Sequence, residues 1–296
     1  MQNPHCVCPY LPCKIHGNCQ ACVQISLQSK SFPNCLENQI EEFGGCLERK
    51  YPKNTLLCED YDDMSLQSAL LLKEVLDKKK DALISFSAGS SATGMFKKLV
   101  EMSKSGEIDF SEARFVQLDE WLDLEDRSEN CSAFIHKNFY DPAGIRPDQL
   151  RAFNLDAEDL EQECRDIDEY IEKAGNIDFL VLGIGMNGHI ALNEPGENFD
   201  YGTHIVSLSE TTKSVGQKYF SEAKVLTRGM TIGMRQVFAA KKVILQVSGK
   251  AKADIIEKLY KTRPQIAIPA SVMSLVDDGV VVIDKDAASK IGEFIK

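Results

Sequence analysis

Three stretches of the chain gather side chains that could do chemistry together. In "LISFSAGSSATGMF" an apolar run ends on Gly89, Ser90 and Ser91 just before a helical pattern. Glycine lets the backbone turn there, and serine amides and hydroxyls at a helix start can hold an anion such as phosphate. The stretch also suits a plain strand-to-helix turn, which needs small residues. Met95 and Phe96 stand where a Walker A loop requires Lys and Ser or Thr, so nucleotide hydrolysis is disfavoured.

In "RFVQLDEWLDL" Asp119 and Glu120 follow an apolar run, with Trp121 beside them. A partly buried carboxylate at a strand end can be tuned as a general base; the competing interpretation is a helix N-cap by Asp119. The third stretch, "LGIGMNGHIALNEPG", carries Gly183, Gly185 and Gly188 at dinucleotide-fingerprint spacing. A true fingerprint opens a helix and finds an acid at the end of the next strand about 20 residues on. Here Pro195 arrives within seven residues of Gly188, so the glycines serve instead to bring backbone close to a ligand. Asn187, His189 and Glu194 are presented around it. A neutral histidine can pass a proton between oxygen atoms if a carboxylate orients its ring.

Such groups work only if strands deliver them to one place. The apolar runs "NTLLCE", "ALISFS", "ARFVQLD", "IDFLVLGIG", "KVILQVSG" and "GVVVID" alternate with helical patterns such as "MSLQSALLLKEVLDKKK", "DLEQECRDIDEYIEKAG" and "KAKADIIEKLYK". Strands that are apolar throughout predict a parallel sheet covered on both faces, an α/β, doubly wound fold whose ligands sit at the carboxyl ends of the strands. Residues 1–48 show no such periodicity and carry the breakers Pro4, Pro9, Pro12 and Pro33 and the pair Gly44 and Gly45. They are expected to be a Cys-rich appendage to a main domain spanning 49–296.

Within it "CVCPYLPCKIHGNCQAC" holds five of the ten cysteines. In a reducing compartment a local cluster is read as thiolate ligands, so Cys8, Cys13, Cys19 and Cys22 are candidate ligands of a structural zinc, with Cys6 or His16 as substitutes. The isolated cysteines are expected to fill the core. A net charge of −11 and the lack of a basic run argue against nucleic acid as a partner. No apolar stretch approaches the roughly 20 residues that span a bilayer, so no membrane association and a cytoplasmic location are expected.

Together, "VQLDEWLDL", "LGIGMNGHIALNEPGE", "LTRGMTIGM" and "QIAIPASVM" resemble the glucosamine-6-phosphate deaminase and 6-phosphogluconolactonase superfamily. The resemblance runs from about residue 55 to about 285, is greatest to the galactosamine-6-phosphate isomerase/deaminase branch, and implies a Rossmann-like fold. It further implies that a hexosamine 6-phosphate, galactosamine 6-phosphate in the first place and glucosamine 6-phosphate as the alternative, is isomerised and deaminated to a ketose 6-phosphate and ammonia. Asp119 would then be the base at C2, and His189, oriented by Glu194, would assist ring opening. Gly89, Ser90, Ser91, Lys218 and Lys252 would hold the phosphate, with no cofactor needed for catalysis and a homo-oligomer allowed. Further alternatives are 6-phosphogluconolactone hydrolysis and a non-catalytic sugar-phosphate sensor. Asn187 stands where glucosamine-6-phosphate deaminases carry Asp, Ala88 and Ala92 where relatives often show Thr and Pro, and Lys218 where some carry Arg.

Overall fold

The computed structural model describes residues 51–295; the expected appendage and its ligand candidates Cys8, Cys13, Cys19 and Cys22 lie outside them. Seven strands form one parallel sheet in the order β1-β10-β9-β6-β2-β3-β5. They are β1 (Asn54–Cys58), β2 (Leu83–Phe86), β3 (Arg114–Val116), β5 (Leu150–Arg151), β6 (Phe179–Gly183), β9 (Val243–Val247) and β10 (Gly279–Asp284). Successive residues of the inner strands feed two different cores. Leu83, Leu180, Leu182, Leu245 and Ile283 pack on one face with α4 (Leu160–Lys173), α6 (Met234–Ala239) and α7 (Ala253–Lys261). Ile84, Phe86, Phe179, Val181 and Ile244 pack on the other with α1 (Tyr61–Lys78) and α2 (Ser90–Ser105). Period-two alternation between two apolar layers is why these strands read as unbroken hydrophobic runs. The expected α/β fold with helices on both faces is what the chain adopts.

A second sheet of three antiparallel strands, unforeseen from sequence, stands beside the first: β4 (Asp119–Trp121), β8 (Arg228–Thr231) and β7 (His204–Ser207), in the order β4-β8-β7. The run "ARFVQLD" is therefore two strands, one in each sheet, with the chain changing sheets between Val116 and Asp119. Trp121, Leu192, Val206, Leu208 and Phe220 form a small core of their own under this sheet. Two short helices complete the surroundings, α3 (Cys131–Ile135) and α5 (Glu210–Gly216). Among the described residues no helix is long and apolar enough to cross a membrane.

The strand order reverses between β2 and β6. From β2 the chain moves outward through β3 and β5, then returns to β6 on the opposite side and continues through β9 and β10. Crevices outside the carboxyl ends of two such strands are where open α/β sheets bind ligands.

Candidate active site

That crevice holds an open pocket of about 840 Å³, its mouth included, lined by the segments after β2 and β6. Ser87 to Ser91 form one wall and Gly183 to Met186 with His189 another; Asp119, Trp121, Lys218, Tyr219 and Lys252 close it. Asp119, His189, the Gly89–Ser91 segment and both lysines, separated by up to 163 positions in sequence, thus meet in one place.

The β2–α2 turn is built to face a ligand. Gly89 has φ +156 and ψ 175, a region that only glycine occupies at low cost. Helix α2 has no side-chain cap and no acid in its first turn. Its amides at Ala92 and Gly94 are used by Gly89 O and the Tyr61 hydroxyl, whereas those of Ser90 and Ser91 have no acceptor among the described residues, an arrangement suited to an anion. Lys218 adds positive charge while lying over the Tyr219 ring at 4.9 Å. Lys252 donates to Ile184 O at 2.5 Å, and burial, with the Lys218 charge beside it, lowers its ammonium pKa to about 8.

Asp119 and Glu120 do not act as a pair. As neighbours on a strand they project to opposite faces: Asp119 and Trp121 line the pocket, and Glu120 does not. Nor does Asp119 cap a helix, since it opens β4. Glu120 instead accepts four N–H groups, from Trp121 (2.8 Å), Cys131 (2.9 Å), Ser132 (3.0 Å) and the Gln117 side chain (2.8 Å). It ties β4 to the start of α3 and so fixes the backbone that carries Asp119. Removing this carboxylate strands buried donors, and Glu120→Ala is expected to cost about 3–5 kcal/mol in urea unfolding; a loss below about 1 kcal/mol would deny Glu120 that role.

Asp119 is 8% exposed. Burial, reinforced by the Glu120 charge, raises its carboxyl to about 7, and a hydrogen bond from the Cys131 thiol opposes the rise only in part. A carboxylate at that value is matched to proton abstraction near neutrality. Cys131 is consequently more than core filler, the role that does suit buried Cys58 and Cys164; Cys35 and Cys46 lie outside the described residues.

Beyond β6, the imidazole of His189 lies flat on Gly185. A methyl group there would come within 2.4–2.5 Å of three ring atoms, which explains a glycine that the dinucleotide fingerprint does not. Gly188, at φ +91, turns the loop so that His189 can fold back. Burial holds the ring's pKa well below the usual histidine value, with Lys252 adding to the depression and Glu194 opposing it, although 18% of the side chain stays exposed.

Glu194 does not hold the ring as expected. Its Oε2 is 3.8 Å from Nδ1, beyond hydrogen-bond range, and the Thr212 hydroxyl is nearer at 3.1 Å. Glu194 is occupied by the Asn187 amide (2.7 Å) and the Ser209 N–H (3.1 Å). Asn187 also donates to Ser209 Oγ at 3.0 Å and accepts from the His189 N–H at 3.2 Å. Asn187 is thus outside the pocket lining but central to the loop behind it, and an aspartate there would set two carboxylates against each other. Thr212, Ser209, Tyr219 and Cys131 went unrecognised in the sequence. Ser209 caps α5 through Thr212 N, and the "SETT" cap pattern was the one available signal.

Residues 61–282 match the family model described as glucosamine-6-phosphate isomerases/6-phosphogluconolactonase. The chain belongs to this family. A glucosamine-6-phosphate deaminase of Thermoanaerobacter sp. (strain X514) is 39% identical over 238 residues, covering 80% of this chain and 94% of the relative. One of Clostridium botulinum (strain Hall) is 34% identical, covering 80% and 98%. A solved structure of a monomeric glucosamine-6-phosphate deaminase, 30% identical, superposes with a TM-score of 0.76 over 80% of this chain and 99% of its own. The 6-phosphogluconolactonase of Trypanosoma brucei shares the fold at 16% identity and a TM-score of 0.63. The Thermoanaerobacter and Clostridium relatives are thus glucosamine-6-phosphate deaminases, where the motifs pointed first to galactosamine.

Proposed function

We propose that this chain is an amino-sugar-phosphate isomerase/deaminase that converts glucosamine 6-phosphate and water to fructose 6-phosphate and ammonia. The observation that carries the proposal is the raised, buried carboxylate of Asp119 facing the same pocket as an uncapped helix start and two lysines. The phosphate would rest on the amides of Ser90 and Ser91 with Lys218 and Lys252, placing the sugar's other end toward Asp119 and His189. His189 would assist opening of the ring. Once the C1 aldehyde is free, the C2 hydrogen is acidic enough for a positioned carboxylate, a contribution of about 10²–10⁴ in rate. Asp119 takes that proton to give an enolamine and returns it to C1, while O1 gains a proton and the amino group loses one, leaving an imine at C2 that water hydrolyses with loss of ammonia. The chemistry needs no organic cofactor, because the carbonyl itself stabilises the developing charge.

The test is ammonia release by the purified full chain from glucosamine 6-phosphate and from galactosamine 6-phosphate across pH. Turnover of glucosamine 6-phosphate is expected to dominate; preference for the C4 epimer would favour the galactosamine branch that the motifs resemble. Since Asp119 must be deprotonated to act, kcat/KM should rise with pH up to about 7. Since Lys252 loses its charge near pH 8, KM should climb above it. Silence with both sugars would overturn the proposal.

A further inference from the structure

The direction of the hydrogen bond between Thr212 and His189 follows from the donors around it. Asn187 Nδ2 uses one hydrogen on Glu194 Oε2 (2.7 Å) and the other on Ser209 Oγ (3.0 Å). Ser209 Oγ accepts a second hydrogen bond from Thr212 N (3.2 Å), and its own hydroxyl proton donates to Thr212 Oγ1 (3.1 Å). Thr212 is 3% exposed, and His189 Nδ1 at 3.1 Å is the one acceptor its hydroxyl has among the described residues. Were Nδ1 to carry the proton, Thr212 Oγ1 would accept twice and its own hydrogen would be buried unmade, the costly case. Thr212 therefore donates, Nδ1 accepts, and the proton of the neutral ring sits on Nε2. The charged groups acting on the ring are Glu194 and Lys252; Glu194 is already engaged by Asn187 and Ser209 and stays 3.8 Å from Nδ1.

We propose that Thr212 is a positioning residue that locks His189 in the Nε2–H tautomer, so that the ring meets its ligand as a hydrogen-bond donor. In a sugar phosphate the acceptor would be the ring oxygen or the oxygen on C1. That identification rests on the deaminase proposal, whereas the tautomer belongs to the protein alone.

The experiment is long-range proton–nitrogen NMR of the full chain labelled with ¹⁵N-histidine, at pH 8, where protonated and bare ring nitrogens separate clearly. The signals of His189 are assigned by their loss in His189→Gln. Expected are a bare Nδ1 and a protonated Nε2 in the wild type and in Thr212→Ser, and a shift toward the mixed tautomers of a free imidazole in Thr212→Val. A protonated Nδ1 in the wild type, or an unchanged Nε2–H ring in Thr212→Val, would overturn the proposal. Should Thr212→Val fail to fold, the wild-type and Thr212→Ser spectra still decide the tautomer. In turnover, Thr212→Val should lose about tenfold in kcat with KM nearly unchanged, and Thr212→Ser should restore it. A wild type that releases no ammonia while showing the Nε2–H ring would defeat the deaminase proposal and leave the tautomer assignment standing.

Discussion

Asp119→Asn is expected to lower ammonia release by about 10³-fold while leaving the affinity for fructose 6-phosphate within about twofold. The amide keeps the shape of the carboxyl group and removes its ability to accept a proton from C2. The same change should stabilise the fold. Asp119 has its folded pKa raised from 3.8 to about 7, so the native state binds the proton more tightly than the unfolded chain and stability falls as pH rises between those values. Above about pH 7 the wild type carries the full penalty, on the order of 4 kcal/mol, which the neutral amide escapes. Urea unfolding at pH 8 should therefore favour Asp119→Asn, with the advantage shrinking as pH approaches 4. Retention of more than a tenth of the wild-type kcat would remove Asp119 from the role of base.

The second large effect is expected at Gly185. Its backbone φ is not in the left-handed region, so alanine is conformationally acceptable there; what it meets is the imidazole of His189, at 2.4–2.5 Å. The ring must swing away from Thr212 and out of its present place in the pocket. Displacement of a reacting group by about 1 Å can cost roughly 10²-fold, and Gly185→Ala should match His189→Gln in kcat to within a few-fold. Stability in thermal unfolding should fall by no more than about 1–3 kcal/mol, the cost of leaving the buried Thr212 hydroxyl without an acceptor, because the ring itself moves toward open pocket and not into packed core. Full activity in Gly185→Ala would mean that the position of His189 does not govern the reaction.

Much of the large sheet was legible because its strands are buried on both faces. "FLVLG" and "VILQV" admit no solvent-facing alternative, and helices α1 and α4 announce themselves by the acids Asp60 and Asp159 that cap them. The pocket-lining residues were legible for a related reason: they come directly after such strands. The small sheet was not. Its strands "DEW", "HIVS" and "RGMT" are three or four residues long, too short to display a period, and nothing in "RFVQLDEW" marks where the backbone leaves one sheet for the other. The opposed directions of Asp119 and Glu120 were hidden with it. The Thr212 contact to His189 joins residues 23 apart on separate elements, and the sequence between them carries no spacing rule that would pair a hydroxyl with a ring.

The two sheets carry different parts of the pocket. The Gly89–Ser91 segment, proposed to hold the phosphate tail, hangs from β2 and the imidazole from β6, both in the large sheet, whereas the carboxylate at 119 hangs from the small one. If the chain is the deaminase proposed above, the gap between the two frameworks would work as a caliper. On that proposal, a phosphorylated sugar of fewer carbons, held by the same tail, would leave its reactive carbon short of the second jaw and would occupy the crevice without reacting.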